Sequence, residues 1–295
     1  MLIGIDLGNY GVKTSERVSF LSKISDVENF TGENEVIYEG RKLYVGEGEF
    51  STDWNKSMKG STLPLLFTSL AKSSKENIFQ VVLGLPIQQY KQNKEKFKEL
   101  IEENRGKTLI IDGKSRDIII SNIEIAPEGA SAYYNLSIEN KKLIGNKPLT
   151  IVDIGGRTTD VCLFKDKKIK GFKTIPVGML NIYTDIVTEV NSRFTESFKL
   201  EEGESILKDG LFLYGEQQNM SFIKPILQRH FNSIYKELQL NFEISKGYVL
   251  LTGGGSLTLR RAFQNRLKNL IVSNDPVYDN VIGFKKVGEQ LWLEK

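Results

Sequence analysis

The stretch LTIVDIGGRTTDVCLF, residues 149–164, carries the most information about how this chain folds. Two apolar runs flank a turn that contains a double glycine, two threonines and the carboxylates of Asp153 and Asp160. This pattern is typical of a β-hairpin. Carboxylates alone would repel a polyphosphate, so we interpret them as partners of a divalent cation, held through water because Mg²⁺ dehydrates reluctantly. The alternative is a tight hairpin whose Asp and Thr side chains bond to their own backbone.

The same frame opens the chain in residues 2–13, LIGIDLGNYGVK. Asp6 ends an apolar run and a glycine follows two positions later, as happens after Asp153, 147 positions further along. The repetition indicates two copies of one structural unit. Glycine lets backbone N–H groups approach a phosphate, Lys13 adds positive charge, and Asp6 and Asp153 could flank one Mg²⁺. For the first loop on its own, a plain β-turn is an equally good explanation.

A third glycine-rich loop, TGGG at residues 252–255, lies between an apolar run and a predicted helix. It leaves room for a flat ring or a sugar, and the N-terminus of the helix favours phosphate. On its own, a flexible strand-to-helix turn explains this loop better. No GxxxxGK[ST] motif and no early GxGxxG motif occurs, which argues against a P-loop ATPase and a dinucleotide-binding enzyme.

Together, and in this order, the loops resemble those of the actin, chaperone and sugar-kinase superfamily of ATPases. Residues 6–13 resemble the first phosphate loop, 153–160 the second, and 251–255 the adenosine loop. Residues 127–132 (PEGASA) are similar to the first connecting helix, and 280–288 (NVIGFKKVG) to the second. Five motifs in the expected order span nearly the whole chain.

The resemblance implies an α/β, actin-like fold in which two duplicated α/β domains flank a nucleotide cleft. Domain I is expected over residues 1–146, with a small peripheral insertion at about 33–60 and a connecting helix from about Pro127, which suits position N1 of a helix. Domain II is expected over 147–279, and residues 280–295 would form a C-terminal helix that returns to domain I.

The resemblance also implies roles for individual residues. Glu128 would orient the attacking water, with an exposed glutamate in the first turn of a helix as the alternative. Asp153 would contribute to catalysis and, with Asp6, would hold Mg²⁺ through water. Arg157 stands where a small residue is usual, and it would either contact the γ-phosphate or face outward. The residues expected to bind the nucleotide are Gly8, Asn9, Tyr10, Lys13, Gly155, Gly156, Arg157, Thr158, Gly253, Gly254 and Gly255.

Residues 82–90 (VLGLPIQQY) and the Lys- and Glu-rich helix after them resemble the plasmid-segregation actins of the ParM/StbA type. This resemblance implies an ATPase with Mg²⁺ as cofactor and GTP as an alternative nucleotide. Its subunits would add head to tail to a filament, and a DNA-bound adaptor protein would tether the filament to a plasmid. The alternatives are a small-molecule kinase of the same superfamily and a cell-shape or phage actin-like filament with other cargo.

Composition limits the remaining possibilities. The 295 residues carry a formal charge of +3, which is too small to indicate direct binding to nucleic acid. We find no apolar run near 18 residues and no basic-then-apolar leader, so we expect a cytoplasmic protein with no membrane partner. The single cysteine, Cys162, and the single histidine, His230, are interpreted as packing residues. The C-terminal residues 291–295 are too short for a convincing membrane anchor.

Overall fold

The computed structural model describes residues 1–28, 33–51, 53, 55–56 and 59–293. Within these residues two large β-sheets, each covered by helices, lie on either side of a cleft. The strands of the first sheet are β1 (Leu2–Leu7), β2 (Gly11–Thr14), β3 (Ser19–Leu21), β4 (Lys23–Ser25), β5 (Glu35–Tyr38), β6 (Arg41–Phe50), β7 (Ile78–Leu85), β8 (Gly106–Ile111) and β9 (Lys114–Pro127).

The second sheet is formed by residues from the other half of the chain. Its strands are β10 (Leu149–Ile154), β11 (Thr159–Lys165), β12 (Lys168–Ile175), β15 (Tyr248–Thr252) and β16 (Leu270–Val272), while β13 (Phe212–Leu213) and β14 (Glu216–Gln217) form a separate hairpin. The helices are α1 (Thr62–Ser73), α2 (Ile87–Glu102), α3 (Ala132–Asn135), α4 (Ile138–Ile144), α5 (Met179–Phe194), α6 (Gly203–Asp209), α7 (Ile223–Asn241), α8 (Gly255–Gln264) and α9 (Asp279–Trp292).

Both sheets contain the same five-strand unit. The first unit has the order β3-β2-β1-β7-β9 and the second the order β12-β11-β10-β15-β16. In each, the first three strands are antiparallel and the last three parallel. The registers also correspond, because Asp6 pairs with Lys13 across one hairpin and Asp153 with Asp160 across the other. The duplicated α/β architecture expected from the sequence is therefore confirmed.

Alternate side chains of the buried strands face different helices. On β1, Ile3 and Ile5 pack in a core with α1 and α2, whereas Leu2 packs with Val281 and Phe284 of α9. The last helix thus lies on the first sheet. On β10, Val152 and Ile154 face α5, α7 and α8, and the opposite face of the sheet packs on α3 and α4. Strands covered on both faces need apolar residues at nearly every position, which explains their unbroken apolar runs.

The expected helix start at Pro127 is wrong. Pro127 is the last residue of β9, residues 128–131 form turns, and α3 begins at Ala132. Gly129 has a φ of +72°, and a right-handed helix cannot pass through that conformation. The Pro-Glu-Gly sequence therefore ends a strand and makes a turn, and it directs Glu128 into the cleft.

The segment expected to be a small peripheral insertion has two parts. Strands β5 and β6 form a hairpin that pairs with β8 and extends the first sheet toward its edge. The residues that follow β6 return to the cleft, so this part of the segment is not peripheral: Lys56 there is only 2% exposed. Positions 52, 54, 57 and 58 of the insertion, and positions 294 and 295 of the expected C-terminal helix, lie outside the described residues.

Candidate functional site

The three glycine-rich loops meet around one cavity of about 440 Å³ between the two sheets. Every residue expected at the site lines it, although the loops that supply these residues are far apart in sequence. These lining residues are Asp6, Gly8, Asn9, Tyr10, Lys13, Glu128, Asp153, Gly155, Gly156, Arg157, Thr158, Gly253, Gly254 and Gly255. The structure brings the expected set together, and nucleotide binding by these residues stays a prediction.

The two predicted phosphate loops touch each other at Gly156. A Cβ atom built on Gly156 would lie 2.5 Å from Cβ of Tyr10 in the first loop, so a larger residue would force the loops apart. The third loop is packed just as closely. Gly253 has a φ of +79°, and a Cβ there would collide with the side chain of Asp153. Glycine is thus required where the loops approach one another.

Asp153 is a buried carboxylate at the end of β10. Its Oδ2 accepts a hydrogen bond of 2.7 Å from Nδ2 of Asn280, at the start of α9. The Oδ1 of Asn280 in turn accepts a bond of 3.0 Å from the backbone N–H of Gly129, which fixes the orientation of the amide. Burial, with a smaller effect of the Asp160 and Asp6 carboxylates, raises the pKa of Asp153 to about 7. No sequence pattern predicted that Asn280 would hydrogen-bond to Asp153.

Asp160 is held by two threonine hydroxyls rather than by its own backbone. The Oγ1 of Thr174 donates a bond of 2.5 Å and the Oγ1 of Thr158 one of 3.3 Å to its two carboxylate oxygens. Burial raises the pKa of Asp160 to about 6 despite these bonds. Asp153 and Asp160 are paired across the hairpin, so the second loop carries two buried carboxylates side by side.

Lys56 is the functional side chain that sequence reasoning missed. Its Nζ forms an ion pair with Glu128 and lies 3.3 Å from both Oδ1 of Asp6 and the carbonyl oxygen of Gly84. Burial raises the pKa of Glu128 to about 8, against the opposing effect of the Lys56 ammonium. Burial by itself would lower the pKa of Lys56, but the Glu128 and Asp6 carboxylates outweigh it and raise that pKa. A lone lysine in a polar loop has no sequence pattern that would indicate this role.

Several contacts cross the cleft between the two halves of the molecule. Arg157 donates a hydrogen bond to the carbonyl oxygen of Ser51, so it contacts the opposite side of the cleft. The hydroxyl of Tyr10 bonds to the carboxylate of Glu204 on α6. Lys23 forms a 2.8 Å ion pair with Glu201 beside the same helix. These contacts join the two sides of the cleft.

Glu204 and Lys208 also line the cavity, and sequence reasoning did not select them. They form an ion pair at i,i+4 spacing on α6, which is the pattern of an ordinary solvent-exposed helix face. Their place in the cleft depends on how α6 packs, and a short polar helix does not reveal that in its sequence.

The carboxylates suit a metal ion that is bound through water. Among the described residues, no group of three or more His, Cys, Asp or Glu side chains could ligate a metal directly. Asp6 and Asp153, however, enter the same cavity from the two sheets, beside loops with backbone N–H groups. This donor set fits a hydrated Mg²⁺ whose remaining ligands are phosphate oxygens. None of the described helices combines the length and the apolar character that a membrane span requires.

Comparisons with known proteins agree with this geometry. Residues 4–130 match the model of the actin-like protein N-terminal domain, and residues 151–265 match that of the archaeal actin homologue MreB-like C-terminal domain. None of the curated protein sequences matches the chain significantly.

Three solved structures illustrate the likeness of fold. The archaeal actin homologue Ta0583 in complex with ADP is 19% identical, has a TM-score of 0.85, and the match covers 98% of this chain and 99% of that one. A 15-stranded ParM filament from Clostridium botulinum is 21% identical, with a TM-score of 0.83 and the same coverage. The apo pSK41 ParM protein is 20% identical, with a TM-score of 0.70 and coverage of 99% and 98%. The chain therefore belongs to the actin-like proteins, with an actin-like N-terminal domain and an MreB-like C-terminal domain.

Proposed function

We propose that this actin-like protein binds Mg²⁺-ATP in the cleft between its sheets, hydrolyses it, and polymerises head to tail. The observation that carries the proposal is the convergence of three glycine-rich loops and of carboxylates from both sheets on one cavity. The loops offer backbone N–H groups to phosphate, and Lys13 offers a positive charge. The ADP bound to one structural relative supports a nucleotide in this cleft.

Asp6 and Asp153 would hold Mg²⁺ through water on the phosphate side of the cavity. The ion would neutralise charge on the phosphate oxygens when it is bound. Asn280 keeps the carboxylate of Asp153 in place through the 2.7 Å bond to Oδ2. We also propose that residues 1–146 and 147–279 are two domains that close on the nucleotide, and that residues 280–295 return to the first domain.

Glu128 would orient the attacking water. Its Oε1 faces Lys56, which leaves its second carboxylate oxygen to accept a hydrogen bond from a water in the cavity. Burial raises the pKa of Glu128, so its ionised carboxylate is a stronger proton acceptor than that of an exposed glutamate. Lys56 would keep the carboxylate of Glu128 directed into the cleft.

Polymerisation would depend on closure of the cleft. ATP and ADP differ at the γ-phosphate, which would contact the loops that join the two halves, so the two nucleotides can favour different degrees of closure. The C. botulinum ParM filament supports self-association. Within the cytoplasm, a filament of this kind would segregate plasmid DNA through a DNA-bound adaptor protein.

Light scattering tests this proposal. Purified protein is mixed with Mg²⁺-ATP, Mg²⁺-ADP or a hydrolysis-resistant ATP analogue, and phosphate release is followed in the same sample. We expect scattering to rise with ATP and with the analogue but not with ADP, and we expect Asp153→Ala to abolish the rise while the exposed-site control Asp26→Ala keeps it. Flat scattering over a wide range of protein concentrations would refute polymerisation. Transfer of phosphate to a small-molecule acceptor would identify a kinase instead.

A further inference from the structure

Lys59, in the segment that follows β6, reaches the first phosphate loop. Its Nζ donates a 2.6 Å hydrogen bond to Oδ1 of Asn9, a residue that lines the cavity. Lys59 is partly buried and lies on the same side of the cleft as Lys56. Two lysines from one polar segment thus approach the loop that begins at Asp6.

The hydrogen bond from Lys59 determines the orientation of the Asn9 side-chain amide. An ammonium group has three donors and no acceptor, so the amide oxygen must face it. Within the part of the chain that the structure describes, Nδ2 of Asn9 donates no hydrogen bond, and the amide's one bond is the one that its oxygen accepts from Lys59. The two N–H groups of the amide are therefore available to an acceptor in the cavity. A phosphate oxygen is an acceptor of this kind.

The charges around Lys59 also favour an anion. Burial, followed by repulsion from Lys56 and Arg157, lowers the pKa of Lys59 to about 8, and the opposing carboxylates of Asp53 and Glu128 do not compensate. A partly buried ammonium next to two other cations is stabilised by a nearby negative charge. A polyphosphate on the first loop would provide one.

We propose that Lys59 is a positioning residue of the nucleotide site, which holds the Asn9 amide with its N–H groups toward a phosphate and adds positive potential there. This inference rests on the proposed function, because it specifies how one of the predicted phosphate loops is prepared for its ligand. It also gives a functional reason for the inward course of the segment after β6.

A double-mutant cycle tests the inference. Binding of Mg²⁺-ADP, Mg²⁺-ATP and adenosine is measured by calorimetry for the wild type, Lys59→Met, Asn9→Ala and the double variant. Lys59→Met should weaken binding of both nucleotides about 10-fold, the effect of a lost hydrogen bond to a charged group. In the Asn9→Ala background the same substitution should cost much less, since the positioning effect is already lost and only the positive potential of Lys59 remains to be removed. Adenosine, which lacks phosphate, should bind all four proteins equally.

Two further variants separate positioning from a general effect on the fold. Lys59→Arg keeps the charge and the donors and should restore most of the nucleotide affinity, whereas the exposed control Lys75→Met should behave as the wild type. Unchanged nucleotide affinity in Lys59→Met, or an equal loss with and without Asn9, would overturn the inference while the proposed function stands. A wild-type protein that binds no nucleotide would instead refute the proposed function itself.

Discussion

Replacing Asp153 by asparagine should make the ligand-free protein more stable. Burial raises the pKa of this carboxyl from 3.8 to about 7, so the ionised form is disfavoured in the folded chain. At about 1.4 kcal/mol per pKa unit, the folded protein loses about 4 kcal/mol at about pH 8 relative to a group with no shift. An asparagine side chain carries no charge and its amide oxygen can still accept the bond from Asn280, so the Asp153→Asn variant would avoid this loss.

The sign of the pH dependence follows from proton binding. A carboxyl whose pKa is raised by folding holds its proton more tightly in the folded state. Its contribution to stability is full below the unfolded pKa, near 4, and it is lost as the pH rises to about 7. The stability gained by Asp153→Asn should therefore grow by about 2–3 kcal/mol between about pH 5 and about pH 8.

Urea unfolding of the wild type and of Asp153→Asn at both pH values measures this difference. Subtracting the two proteins cancels the titration of the carboxyl groups that lie far from position 153, because both proteins contain them. The matched control is Asp26→Asn, at an exposed aspartate, which should leave stability unchanged at either pH. A variant that is less stable than the wild type at about pH 8, or a difference that does not vary with pH, would refute the reasoning.

Three further predictions concern the residues around the cavity. Lys56→Met should destabilise the protein by about 3–5 kcal/mol in urea unfolding, because it leaves buried carboxylates without their cation; a loss below about 1 kcal/mol would contradict the buried ion pair. Gly156→Ala should abolish nucleotide binding in calorimetry by pushing the first phosphate loop away at Tyr10, whereas Gly171→Ala, with open space around it, should bind normally. Glu128→Gln should bind nucleotide but release phosphate about 10²–10⁴ times more slowly; loss of binding instead would exclude a role in orienting water.

The hairpins could be predicted from the sequence because their information is local. An apolar run, an aspartate, a glycine-containing turn and a second apolar run specify a strand-turn-strand unit. The unit recurs at residues 149–164, so the duplication is visible as well. The registers that pair Asp6 with Lys13 and Asp153 with Asp160 follow from tight turns between strands whose inner faces are apolar.

Other parts of the site depend on tertiary contacts that no local pattern encodes. Lys56 and Lys59 lie in a polar segment, and only its return to the cleft gives them partners. The expectation that a helix starts at Pro127 was wrong for a related reason. Proline suits the first position of a helix, but here it is the last residue of β9, and the positive φ of Gly129 prevents a helix from starting there.

The cleft contains both carboxyl groups and cations, so a ligand that suits it would have to carry positive as well as negative charge. The pKa values of Asp153, Asp160 and Glu128 are raised, which means that these buried carboxyl groups lack sufficient positive charge nearby. The pKa values of Lys59 and Arg157 are lowered, by burial first in each case, so the charged forms of these two side chains are disfavoured as well. A free phosphate would stabilise the cations and repel the carboxylates, and a free Mg²⁺ would have the opposite effects. A Mg²⁺-nucleotide supplies a cation to the carboxylates and anionic oxygens to the lysine and the arginine. Metal and nucleotide should therefore bind together far more tightly than either binds alone.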